Sequence, residues 1–79
     1  MRTLYVGGLE PDATADGLRT LFEDFGEIVE VRVVTRPGTT RCRGFGYVTL
    51  ADESSALAAK AALDGRPLGA ARLRVELAR

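Results

Sequence analysis

The chain has 79 residues, 46% hydrophobic and 28% charged, with eleven basic and eleven acidic side chains and therefore no formal net charge. This is one domain's worth of an ordinary globular composition, with a thin stability margin. No stretch approaches the roughly 18 apolar residues that span a bilayer, no secretory leader follows Met1, and a chain without histidine and with one cysteine has no internal disulfide and no set of zinc ligands.

Thr3 to Gly7 alternates with period two, Leu4 and Val6 on one face and Tyr5 on the other, and predicts a strand. Glu10 to Ala13, with Pro11 and Asp12, reads as a loop. Thr14 is a good N-cap, and Leu18, Leu21, Phe22 and Phe25 follow at the spacing of one helical stripe. Gly26 is expected to stop that helix as a C′ residue. Gly17 in its first turn is unfavourable by roughly 0.5–1 kcal/mol relative to alanine.

Ile28 to Thr35 is β-branched and predicts a second strand, with Val31 and Val33 facing one way and Glu30 and Arg32 the other. Arg36 to Cys42, with Pro37 and Gly38, reads as the turn before a third strand, Arg43 to Leu50, and Cys42 as a small loop residue. In that strand Arg43, Phe45, Tyr47 and Thr49 point outward, and Gly44, Gly46, Val48 and Leu50 inward. The two inward glycines are expected to let a helix lie close. Asp52 caps a second helix running to Leu63, with Ala56, Ala59 and Leu63 inside, and Gly65 and Pro67 end it. Lys60 is expected to lay its stem along the core edge. Arg72 to Leu77 predicts a fourth strand, with Leu73, Val75 and Leu77 in and Arg72, Arg74 and Glu76 out.

The order β-α-β-β-α-β, with one apolar face per strand and two amphipathic helices, predicts an α+β, ferredoxin-like fold. A four-stranded antiparallel sheet carries both helices on one face, in a single domain over residues 1–79. The other face is open to water and should be polar. Instead it carries Tyr5, Phe45 and Tyr47, three of the five aromatic residues in the chain. Charge is segregated along the chain. Residues 1–31 hold two basic and seven acidic side chains, while residues 32–49 hold four arginines and no acid. A basic patch can therefore exist on a neutral protein. Aromatic rings flanked by arginines make a surface on which unpaired bases stack. Arg32, Arg43 and Arg74 occupy neighbouring outward positions suited to phosphates or base edges.

Two motifs carry a family resemblance. Arg43–Leu50, RGFGYVTL, resembles the longer RNP signature at seven of eight positions, departing at Leu50. Leu4–Leu9, LYVGGL, resembles the shorter one, with Tyr5 in its stacking position and Gly8 in place of a frequent asparagine. Together, about 40 residues apart, they mark the chain as similar to the RNA-recognition motif family, and to the compact single-domain bacterial members above all. The resemblance implies a single-stranded RNA-binding protein, with single-stranded DNA as a related ligand. Tyr5, Phe45 and Tyr47 would meet bases or sugars and Arg43 a phosphate. Arg74, Glu76 and Arg79 would meet base edges, Glu30 and Arg32 would extend the surface, and Arg41 would close the loop over the RNA.

The composition and the motifs it lacks lead to the expectation of no cofactor, no catalysis, no membrane contact and a cytoplasmic location. No nucleophile–base pair or phosphate loop supports an enzyme. A protein partner, or a homodimer across the sheet, is the competing use of the same face. The chain is expected to end directly after the fourth strand, leaving that face bare.

Overall fold

The computed structural model describes residues 1–69 and 71–78. The elements follow in the order β1 (Arg2–Gly7), α1 (Ala15–Phe22), β2 (Ile28–Thr35), β3 (Cys42–Leu50), α2 (Glu53–Leu63), β4 (Pro67–Leu68), β5 (Ala71–Arg72) and β6 (Arg74–Leu77). A 3-10 turn over Glu23–Phe25 follows α1. Strands β2-β3-β1-β6 form one antiparallel sheet, and β4-β5 form a separate hairpin. The ferredoxin-like α+β arrangement is therefore present, with β1 and β3 central.

The core lies where strand alternation puts it. Leu4 and Val6 of β1, Val48 and Leu50 of β3, and Val75 of β6 are buried against Leu18 and Phe22 of α1 and Ala56, Ala59 and Leu63 of α2. Each fully buried leucine, valine or phenylalanine contributes about 1.5–3 kcal/mol relative to exposure. Leu50, the departure from the RNP signature, is wholly inside, so an aliphatic side chain there serves packing. Val31 and Val33 of β2 pack on the core edge while Glu30 and Arg32 are exposed. Lys60 is half-buried on α2, as expected of a stem lying along the core edge. Among the described residues no helix is long and apolar enough to cross a membrane.

Helix α1 begins as its sequence dictates. Thr14 is extended (φ −122°, ψ 161°), and its Oγ1 accepts a 3.1 Å hydrogen bond from Gly17 N–H. Its end differs from expectation. The last turn tightens into the 3-10 segment that carries Phe25, and Gly26 (φ 159°, ψ −175°) is extended rather than left-handed. Gly26 is required by tertiary packing, because a Cβ there would collide with the Ser55 side chain of α2. In α2, Asp52 stands at the N-cap with extended dihedrals, yet its side chain makes no capping bond.

Four further expectations are corrected. Cys42 belongs to β3 and is buried, not a loop residue. Its N–H donates to Pro11 O at 2.8 Å, and its Sγ accepts from Gly44 N–H at 3.3 Å. The glycine at 46 makes room for a strand rather than a helix: an added Cβ would lie 2.5 Å from Arg32 O and 3.2 Å from Val33 Cα of β2. Gly44 likewise admits no helix. It takes φ +100°, its carbonyl accepts from Leu9 N–H at 3.0 Å, and the nearest atom to an added Cβ is Leu9 O.

Finally, Arg72 is not an outward residue of the main sheet. It sits in the β4–β5 hairpin, and its guanidinium donates to Gly65 O at 3.0 Å. The strand that joins the main sheet starts at Arg74, after the buried Leu73. It is tied to the end of α2 by Val75 N–H donating to Asp64 Oδ1 at 3.0 Å.

Because Gly46 has an ordinary backbone conformation but no free volume, Gly46→Ala is expected to destabilise the fold by roughly 1–3 kcal/mol through forced separation of β2 and β3. Urea unfolding measures this. A change below about 0.5 kcal/mol would show that the strands separate at no cost.

Candidate nucleic-acid interface

Antiparallel register assembles the site. Tyr5 lies opposite Tyr47, and Gly7 opposite Phe45, between β1 and β3. On the far side of β3, Arg32 lies opposite Tyr47; on the far side of β1, Glu76 lies opposite Tyr5 and Arg74 opposite Gly7. All of these outward side chains are on the face that the helices leave uncovered. The three rings are half-buried and lie against one another. Tyr5 and Phe45 are tilted at 33° with centroids 5.9 Å apart. Tyr5 and Tyr47 are 6.0 Å apart at 66°, and Phe45 and Tyr47 are 6.2 Å apart and perpendicular. These are edge-to-face and tilted contacts that aromatic rings favour.

Gly7 is what lets the cluster close. The Tyr5 ring lies along the sheet over this residue, and an added Cβ at Gly7 would stand 2.7 Å from the Tyr5 hydroxyl. A side chain at position 7 would push the ring away from Phe45. Sequence reading passed over this glycine. The signal was present, since a residue two ahead of an outward aromatic on the same strand face must be small if the ring is to lie flat.

The predicted arginines fall into three groups. Arg32 lies over the Tyr47 ring, its guanidinium carbon 5.7 Å from the centroid, a cation–π contact. It makes no ion pair with Glu30 among the described residues. Arg74 pairs with Glu76 at 3.0 Å, both well exposed; such a pair is worth about 0–1 kcal/mol and exchanges readily for another anion. Arg43 and Arg41 are exposed with no side-chain partner among the described residues. Arg43 stands where the β2–β3 register shifts, and the backbone carbonyl of Arg41 accepts from Arg36 N–H across the loop at 3.0 Å. Arg79 lies outside the described residues.

Below the rings the face turns polar. Thr3 and Thr49, opposite each other in register, share a 2.9 Å hydroxyl–hydroxyl bond. They help to line a groove of about 510 Å³ that also meets Glu30, Arg32 and Tyr47. A second groove of about 390 Å³ lies on the helix side, between α1 and the β4–β5 hairpin. Among the described residues no group of three or more histidine, cysteine or carboxylate side chains is placed to hold a metal ion. The sheet face offers π-systems for stacking, guanidinium donors for anions, and hydroxyl and carboxylate groups for polar edges.

If Gly7 positions the rings as described, Gly7→Ala should break proton–proton proximity between Tyr5 and Phe45 in NOE spectra. Stability should fall by less than about 1 kcal/mol, since the obstructed group is the free end of an outward side chain. Unchanged ring-to-ring NOEs would show that the glycine is incidental.

The chain matches known proteins along nearly its whole length. The family model described as RNA recognition motif covers residues 4–74. The 28 kDa chloroplastic ribonucleoprotein of Spinacia oleracea is 44% identical over 75 residues, which is 95% of this chain and 32% of that protein. The crystal structure of the RNA-binding protein PG1 superposes with a TM-score of 0.93 at 32% identity, covering 99% of this chain and 94% of that one. The structure of the Rna15 RRM with bound RNA (GU) superposes at 0.88 with 25% identity, covering 98% and 82%. The chain spans about a third of the length of the spinach relative, or less of others that it matches. With its fold, its paired RNP-like strands and this match, the chain belongs to the RNA recognition motif family.

Proposed function

We propose that this chain is a single RNA-binding domain over residues 1–79, which holds a short single-stranded RNA on the open face of its sheet and performs no catalysis. The observation that carries this is the cluster of Tyr5, Phe45 and Tyr47, with centroids 5.9–6.2 Å apart, on the face opposite both helices. The Rna15 RRM was solved with bound RNA, and the spinach relative is named a ribonucleoprotein; both support the reading.

In this reading Tyr5, Phe45 and Tyr47 stack on bases or lie against sugars. Stacking suits single strands because their bases are free to splay, and each stacked base is worth about 1–3 kcal/mol. Arg43 meets a phosphate. Arg32, already held over Tyr47, adds charge beside the stacked base. Arg41 reaches from the β2–β3 loop, and Arg74, Glu76 and Arg79 serve the β6 edge. Few positive charges take part, so stacking supplies most of the affinity, with Kd on the order of micromolar. Single-stranded DNA is the competing ligand of the same chemistry. We place the protein in the cytoplasm; the chloroplast name of the spinach relative makes an organelle the alternative to test by fractionation.

Replacing Phe45 and Tyr47 together by alanine is expected to weaken binding of short single-stranded RNA by roughly 30-fold or more with the fold intact by circular dichroism. Unchanged affinity in anisotropy titrations would remove the rings from the interface. A chain that self-associates through this face, seen as a dimer in sedimentation that the double variant dissolves, would replace RNA with a second copy.

The salt dependence of the same titration should be shallow, equivalent to about two to four phosphates neutralised. A steeper slope would mean non-specific attraction to basic side chains in place of stacking.

A further inference from the structure

The sheet face has two unlike halves. Toward Gly7 it carries the rings. Toward Thr3 it is polar, and there the lining of the groove of about 510 Å³ includes Arg2, Thr3, Glu30, Arg32, Tyr47 and Thr49. That volume lies within the range of about 300–1,000 Å³ usual for small-ligand sites, ample for one base. We propose that this groove is a base subsite selective for guanine, and that Glu30 is the residue that reads it. This rests on the reading of the sheet face as an RNA surface and specifies what that surface prefers.

Three observations lead there. First, Glu30 is exposed on the sheet face and its side chain makes no hydrogen bond or ion pair among the described residues, although Arg32 follows two residues later on the same face. The Arg32 guanidinium is drawn to the Tyr47 ring instead, 5.7 Å from its centroid. On the opposite edge Glu76 is already paired with Arg74 at 3.0 Å. Glu30 is thus the sheet-face carboxylate left open to a ligand.

Second, Tyr47 lines both the ring cluster and the groove. A base stacked on Tyr47 therefore delivers its neighbour in the strand to the groove. Third, the floor is polar but not grasping: the Thr3 and Thr49 hydroxyls bond each other at 2.9 Å, and each retains capacity for two further bonds.

The choice of base follows from donor and acceptor order. A carboxylate only accepts, through two oxygens, and a guanidinium only donates. The Watson–Crick edge of guanine presents two adjacent donors, N1–H and the N2 amine, next to the O6 acceptor. Both Glu30 oxygens are filled by the two donors, and Arg32 can donate to O6. Adenine and cytosine present one donor group beside a ring-nitrogen acceptor, and uracil a single N3–H between two carbonyls. Each of these turns an acceptor lone pair toward the carboxylate. Reading of unstacked bases along these edges is the general mode of single-stranded RNA specificity.

The test uses RNA pentamers: all uridine, and five variants with one guanosine at each position, titrated against the 79-residue chain, Glu30→Gln and the Phe45/Tyr47 double alanine variant. One guanosine position should tighten wild-type binding about tenfold over uridine, the size of one good bidentate contact. Adenosine or cytidine there should gain less, and inosine, which lacks the N2 amine, should lose part of the gain. In Glu30→Gln the ratio of guanosine to uridine affinity should fall close to one. The ratio is the readout because removing a negative charge from an RNA surface shifts affinity for every pentamer alike. Ring-dependent binding that is blind to guanosine, or a guanosine preference that survives in Glu30→Gln, overturns the subsite and leaves RNA binding standing. Failure of every pentamer to bind the wild-type chain overturns both.

Discussion

The pairing register between β1 and β3 is the constraint on which the molecule depends. With Tyr5 opposite Tyr47 and Gly7 opposite Phe45, all three rings share the bare face, while Leu4, Val6, Val48 and Leu50 share the buried one. A slip of one residue in either strand would exchange the two sets. The aliphatic side chains hold the register, since each would lose its burial on slipping. The exposure of the rings is thus enforced from the other side of the sheet. One consequence is a separation of duties: substitutions among the rings alter the surface that a ligand meets, whereas substitutions among the leucines and valines alter whether there is a sheet at all.

A neutral chain can serve as an anion-binding surface because its charges are sorted by the fold. The exposed acids of α1 and the 3-10 turn, Asp16, Glu23 and Asp24, belong to the helical layer. The arginines of β2, β3 and β6 and of the loop before β3 lie on or beside the sheet face. Those on the face are held by weak contacts, Arg32 by a ring and Arg74 by an exposed carboxylate. Each contact restricts a flexible side chain without committing its charge, so a phosphate displaces a weak interaction in place of a strong one. Charge of this kind adds to a surface whose main attraction is stacking.

Much of this was legible in the sequence because alternation and helical spacing are local signals. Tyr5, Phe45 and Tyr47 were assigned to the open face from period two alone, and Thr14 as the cap of α1 from its side chain and its distance ahead of Leu18. What escaped depends on partners distant in sequence. Gly26 does end the last helical turn, but what calls for glycine is its φ of +159° and the Ser55 side chain where a Cβ would stand, not a left-handed cap; Gly46 looked like a seat for a helix, but it faces the backbone of Arg32 and Val33. Cys42 read as a loop residue because the turn signals run up to it, yet it continues the inward alternation of Gly44, Gly46 and Val48 by one step, and is buried accordingly. The β4–β5 hairpin is two residues on each side, too short for any periodicity to announce. Its trace is only Pro67 and Gly69, the latter at φ +62° against the Glu10 side chain. The bond from Val75 N–H to Asp64 Oδ1 joins residues whose roles look unrelated along the chain.

The division of the sheet face into an aromatic half and a polar half bears on how such a surface combines affinity with choice. Stacking accepts every base, because every base has a π-face, so the rings alone would bind with little preference. Preference requires donors and acceptors fixed beside the stack, and those must not be consumed by the protein itself. At the β6 edge the carboxylate and guanidinium neutralise each other at 3.0 Å. At the β2 edge the same two residue types, also two positions apart, stay separate because the Tyr47 ring offers the guanidinium a competing partner. One ring thus does two things: it joins the aromatic cluster, and it draws the guanidinium away from a neighbouring carboxylate.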